Sequence, residues 1–130
     1  MRTVTKWKKK LEFESKLEHN TIILDGKKEK GFGPKALLLS GLAGCSGIDV
    51  VEILGKMRVE FTSLEIDTEA TLAEEHPKVF KEVRLTFKIK TNEANEDKIR
   101  KAIELSLDKY CGVSAMLKKN SPITYKLIIE

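Results

Sequence analysis

A chain of 130 residues with 41% hydrophobic composition has material for one domain around one core and is short for two, so residues 1–130 are expected to form a single domain. Charged residues make up 34% of it at a net charge of +4, yet lysines and glutamates are interspersed along most of the chain, which describes a two-signed solvated surface. No binding motif accompanies the lysine clusters at 6–10, 27–30 and 118–119, so nucleic acid is set aside as a partner.

From the start, MRTVTKWKKKLEFE has basic residues but no apolar h-region, and cytoplasmic residence is the expectation. In a reducing compartment two cysteines read as buried thiols or a redox pair before they read as a permanent disulfide. Val4 to Phe13 mixes β-formers with lysines and predicts one strand or two, continued by Ser15 to Leu17. His19-Asn20 is a turn, Thr21 to Leu24 a further strand, and Asp25-Gly26 suits a tight hairpin.

Pro34 opens a helix after the flexible Gly31-Phe32-Gly33, and from Ala36 to Leu54 nearly every position is apolar or small. Such a helix is expected to be buried. A membrane is set aside because Gly41, Gly44, Gly47 and Gly55, with Asp49 and Glu52, interrupt the apolar run. The glycines spaced by three suit the close approach of another backbone, the same helix of a second chain, and one protomer of this size cannot cover the helix alone.

Val59 to Leu72 alternates, with a slip at Thr62-Ser63 that suggests a bulge. Beyond Glu74-Glu75-His76-Pro77, Val83, Leu85, Phe87 and Ile89 define the inward face of a strand over Val79 to Ile89. Asn95 caps a second helix carrying Ile99, Ala102, Ile103, Ser106, Leu107 and Tyr110, ended by Gly112 just after Cys111. Ile123 to Ile129 closes the chain as a strand. The fold class is α+β.

Cys45, between Gly44 and Ser46, and Cys111 are the candidate catalytic residues: an attacking thiolate and a second thiol that resolves its product as a disulfide. Each is also readable as a small inert core residue. Asp49 follows Cys45 by one helical turn and reads as a hydrogen-bonding group, while Glu52 and Lys56 are spaced as a surface or interface pair. His19 and His76 complete a Cys2His2 count without any short ligand-spaced pair, so neither a metal nor a cofactor is expected.

The run GPKALLLSGLAGCSGIDVVEILGKMR, then HPKVFKEVRLTFKI, then KAIELSLDKYCGVSAML before a terminal strand resembles the OsmC-like, organic hydroperoxide resistance family in the same order. The resemblance implies an intertwined homodimer, with two sheets around paired central helices and active sites at the subunit interface. It also implies a thiol-dependent peroxidase of the oxidative stress response, an antioxidant oxidoreductase with Cys45 peroxidatic and Cys111 resolving, that reduces an organic hydroperoxide or hydrogen peroxide and is regenerated by an external thiol reductant. A non-peroxidatic member of the fold, binding a small apolar ligand or partner at the dimer cleft, is the competing expectation. The chain departs from the peroxidase pattern after Pro34: Lys35 stands where those members carry a glutamate, and the only N-terminal arginine is Arg2, so their activating pair is not recognisable.

Overall fold

The β-formers that follow Met1 pair into a three-stranded antiparallel sheet, β1 (Val4–Lys9), β2 (Glu12–Leu17) and β3 (Asn20–Asp25), in a computed structural model that describes residues 1–130 as two units, 1–38 and 39–130. The turns fall where Lys10 and Glu18 take positive φ, so Val4 to Phe13 is two strands joined by a tight turn. Trp7, Phe13 and Leu24 lie opposite one another across the three strands. Asp25-Gly26 does not form the expected hairpin. Instead, the Asp25 carboxylate accepts hydrogen bonds from the backbone N–H groups of Lys27, Glu29 and Lys30 and folds the loop that leads to the first helix. Gly31 in that loop is obligatory, since a Cβ there would sit 2.2 Å from the Ile23 carbonyl oxygen.

Helix α1 (Pro34–Lys56) begins at the proline the sequence singles out. Within one chain it is not buried all round: Leu42, Ser46, Val50 and Leu54, four residues apart, are fully enclosed, whereas Leu38, Ile48 and Val51 are exposed. The glycines divide the same way. A Cβ on Gly47 would touch Ile66 at 3.0 Å, but one on Gly41 or Gly44 would meet nothing.

The second sheet holds β4 (Ser63–Leu72), β5 (Phe80–Lys90) and β6 (Ile123–Ile129), with β5 central, antiparallel to β4 and parallel to β6. Val59 to Thr62 lies outside β4, so the slip at Thr62-Ser63 marks the start of the strand; the irregularity in pairing falls at its other end, between Thr71 and Leu72. Val83, Leu85, Phe87 and Ile89 are buried as their alternation predicts, and they share a core with the inner stripe of α1 and with Ile99, Ala102 and Ile103 of α2 (Glu96–Leu105). Asn92, rather than Asn95, supplies the cap, its side chain accepting from the Ala94 N–H at the head of a short 3-10 turn before α2. Helix α3 (Gly112–Lys118) then precedes β6.

Candidate active site

The position of Cys111 follows from how α2 ends. After Leu105 the helix widens into a π-turn over Ser106–Tyr110, closed by the Cys111 N–H donating to the Ser106 carbonyl at 2.7 Å. The wider turn puts Tyr110 into solvent, although its spacing had assigned it to the apolar face, and leaves the Leu107 carbonyl to accept from Ser114 Oγ at 3.0 Å and Lys118 Nζ at 2.7 Å. Gly112 therefore does not end a helix. Cys111 turns extended there and becomes the N-cap of α3, its sulfur accepting the Ser114 N–H at 3.3 Å.

This geometry carries Cys111, buried at 3% exposure, against the half-buried Cys45 of α1. The two sulfurs and a carboxylate oxygen of Asp49 all lie within 4.8 Å of one another. Both thiols are free. Burial pushes the Cys111 thiol up to about 11; Cys45 beside it adds to the rise, and the Ser114 N–H offsets part of it. At neutral pH Cys111 therefore holds its proton, and no lysine or arginine donates a hydrogen bond to either sulfur.

Beneath the thiols is a polar knot in the apolar core. Ser106, fully buried, sets its hydroxyl 3.0 Å from Ser46 Oγ and 2.9 Å from Asp49 Oδ2, so Asp49 has the hydrogen-bonding part its spacing suggested. Ser46 and Ser106 are the residues that sequence reasoning passed over. Their signal was present, as a serine in register with Leu42, Val50 and Leu54 on α1 and another in register with Ile99, Ala102 and Ile103 on α2.

Asp49 also lines a cavity of about 480 Å³ with Glu52, Ile53, Lys56, Leu105 and Tyr110. Glu52 and Lys56 flank it without forming an ion pair with each other. A larger open groove, about 900 Å³, runs between Arg58–Thr62 and Lys90–Asn95 and contains neither cysteine. The thiol cluster contains no histidine.

The OsmC-like protein family matches residues 26–126. Protein YhfA of Escherichia coli K12 is 34% identical over 96% of this chain and 95% of its own length. Among solved structures, a hypothetical protein from Aquifex aeolicus VF5 superposes with a TM-score of 0.85 at 30% identity, covering 99% of this chain and 96% of that one. The organic hydroperoxide resistance protein OhrB of Bacillus subtilis shares the fold at a TM-score of 0.67 and 16% identity, over 97% and 96% of the two chains. The α+β architecture, the matched span and the full-length relatives agree: this chain belongs to the OsmC-like protein family.

Proposed function

We propose that the protein is a thiol-dependent peroxidase that reduces organic hydroperoxides or hydrogen peroxide through a two-cysteine disulfide cycle. The observation that carries the reading is the approach of the Cys45 and Cys111 sulfurs to within 4.8 Å, from segments far apart in sequence. The name of the Bacillus subtilis relative, an organic hydroperoxide resistance protein, points the same way.

Cys45 is the attacking residue, since Cys111 is the more buried of the two and holds its proton. The Cys45 sulfur takes the distal oxygen of the hydroperoxide, the O–O bond breaks, and the alcohol departs with a proton, leaving a sulfenic acid. The Cys111 sulfur then attacks Cys45, its proton and the sulfenic hydroxyl leaving together as water, and an external thiol reductant restores the pair. The cavity beside Asp49, with Ile53, Leu105 and Tyr110 in its wall, offers apolar contact to an organic substituent.

The working form is a homodimer in a reducing, cytoplasmic setting. Gly41, Gly44, Ile48 and Val51 leave an uncovered apolar face on α1 with room for a second helix, and such an exposed apolar face is the kind of surface that a partner covers. A competing reading, a non-peroxidatic protein that binds a small apolar ligand at the dimer cleft, draws on the absence of a cation hydrogen-bonded to either sulfur and on Lys35.

Cumene hydroperoxide tests the assignment. Cys45→Ser should abolish its consumption, whereas Cys111→Ser should complete one turnover and stop at a sulfenic acid that dimedone traps. Full activity in Cys45→Ser, or no thiol loss in the wild type with any hydroperoxide between pH 7 and pH 9, would transfer the protein to the ligand-binding reading.

A further inference from the structure

The three donor atoms at the thiol pair have a second use. We propose that Cys45, Asp49 and Cys111 form a three-ligand site for a thiophilic divalent cation, zinc or a close analogue, that occupies the reduced protein and masks both thiols from oxidation.

The donor set is the first argument. Two sulfurs and a carboxylate oxygen lie within 4.8 Å of one another. Two sulfurs each about 2.3 Å from a tetrahedral ion stand about 3.8 Å apart, so the cluster closes on zinc with a contraction of about 1 Å or less. Cys45 and Asp49 are one turn apart on α1, which presents both donors to one point, and Cys111 comes from the N-cap of α3.

The surroundings of the donors are the second and independent argument. Ser106 Oγ, fully buried, donates to Asp49 Oδ2 at 2.9 Å, which fixes the carboxylate with an oxygen within 4.8 Å of both sulfurs. The Ser114 N–H donates to Cys111 Sγ at 3.3 Å, a contact that stabilises a metal-bound thiolate. With three protein ligands the fourth position stays open, and the half-buried Cys45 leaves a path for entry. Neither His19 nor His76 takes part.

Binding exchanges the thiol protons for the ion. A thiolate committed to a metal no longer attacks a peroxide, so the ion holds the pair unreactive until a competing chelator removes it. The masking role rests on the reading that these thiols react with peroxide; the binding itself does not.

The test is competition of reduced, full-length protein against a chromophoric zinc chelator, with Co²⁺ as a spectroscopic substitute. One ion per chain and a thiolate-to-cobalt charge-transfer band are expected. Cys45→Ser and Cys111→Ser should each weaken binding at least about 100-fold, and Ser106→Ala, which removes the support of Asp49 without touching a ligand, by about 10–100-fold, whereas His76→Ala should change nothing. Because a variant can misfold, the wild type supplies a second measurement: one equivalent of Zn²⁺ should protect both thiols from a disulfide reagent, and EDTA should restore their reactivity. No ion bound to the reduced wild type, or binding that survives Cys45→Ser or disappears in His76→Ala, overturns the site. Hydroperoxide consumption is measured separately with chelator present, so failure of the peroxidase leaves the metal result standing, and the reverse.

Discussion

Raising the pH from 7 to 9 should accelerate disulfide formation about 100-fold, because the resolving thiol is held at about 11 and its thiolate fraction grows tenfold per pH unit below that value. The magnitude follows from where Cys111 sits: 3% exposed, against Cys45, with the backbone N–H groups of Ser114 and, less strongly, Val113 favouring its anion without offsetting the burial. An ordinary thiol near pH 8.5 would instead level off above pH 9, while Cys111 should gain almost another factor of ten between pH 9 and pH 10. The assay forms the Cys45 sulfenic acid with one equivalent of cumene hydroperoxide, quenches with an alkylating reagent at timed intervals, and counts disulfide by mass spectrometry. A plateau above pH 9, or no pH dependence, would refute the placement of the Cys111 proton. The same displacement bears on stability. A thiol whose folded-state value lies above its unfolded one favours the native state fully below about pH 8.5 and loses that contribution as pH climbs through 11, a loss that Cys111→Ser should not show.

Analytical ultracentrifugation at micromolar concentration should find a dimer, and Ile48→Glu, at a site 64% exposed on the open face of α1, should convert it to monomer; a monomeric wild type refutes the interface. Ser106→Ala leaves Ser46 and Asp49 without their shared partner and should cost about 1–3 kcal/mol by urea denaturation, with an unchanged midpoint counting against the knot. Leu54→Ala, at a fully enclosed position, should cost about 2–5 kcal/mol in the same measurement. The N–H groups of Lys30 and Lys27 hold the Asp25 carboxyl below its usual range, so its contribution is present above about pH 3.9 and fades as pH falls through the lowered value; the urea midpoint of Asp25→Asn should lie below wild type at pH 7 and converge with it in acid.

The sequence was most legible where one local rule decided the outcome. Pro34 set the start of α1, and the two-residue period from Val83 to Ile89 identified the inward face of β5, because neither depends on distant residues. Rules failed where two residues offered the same local chemistry: Asn92 and Asn95 can each cap a turn, and Asp25 can serve a hairpin or a loop. The slip at Thr62-Ser63 looks the same in sequence whether a strand bulges or has yet to begin. Of the site, the cysteines and Asp49 were visible as residue types, but the serines joining Asp49 to α2 were masked by apolar neighbours, and the π-turn that aims Cys111 has no signature in residue type.

The parallel pairing of β6 with β5 has a consequence for the order in which the site is assembled. A parallel neighbour cannot be reached by a hairpin; the chain must first lay down the whole crossover, and that crossover contains Cys111. During synthesis Cys45 and Asp49 emerge long before the strand that closes the crossover, and its closure is a non-local, slow event. On the proposed two-cysteine cycle, a nascent or partly folded chain would carry Cys45 with no resolving partner, and an oxidant that met it at that stage would drive it past the sulfenic acid to a dead end. On that same reading, a reducing environment would guard the protein's own maturation before it served as the source of electrons for turnover.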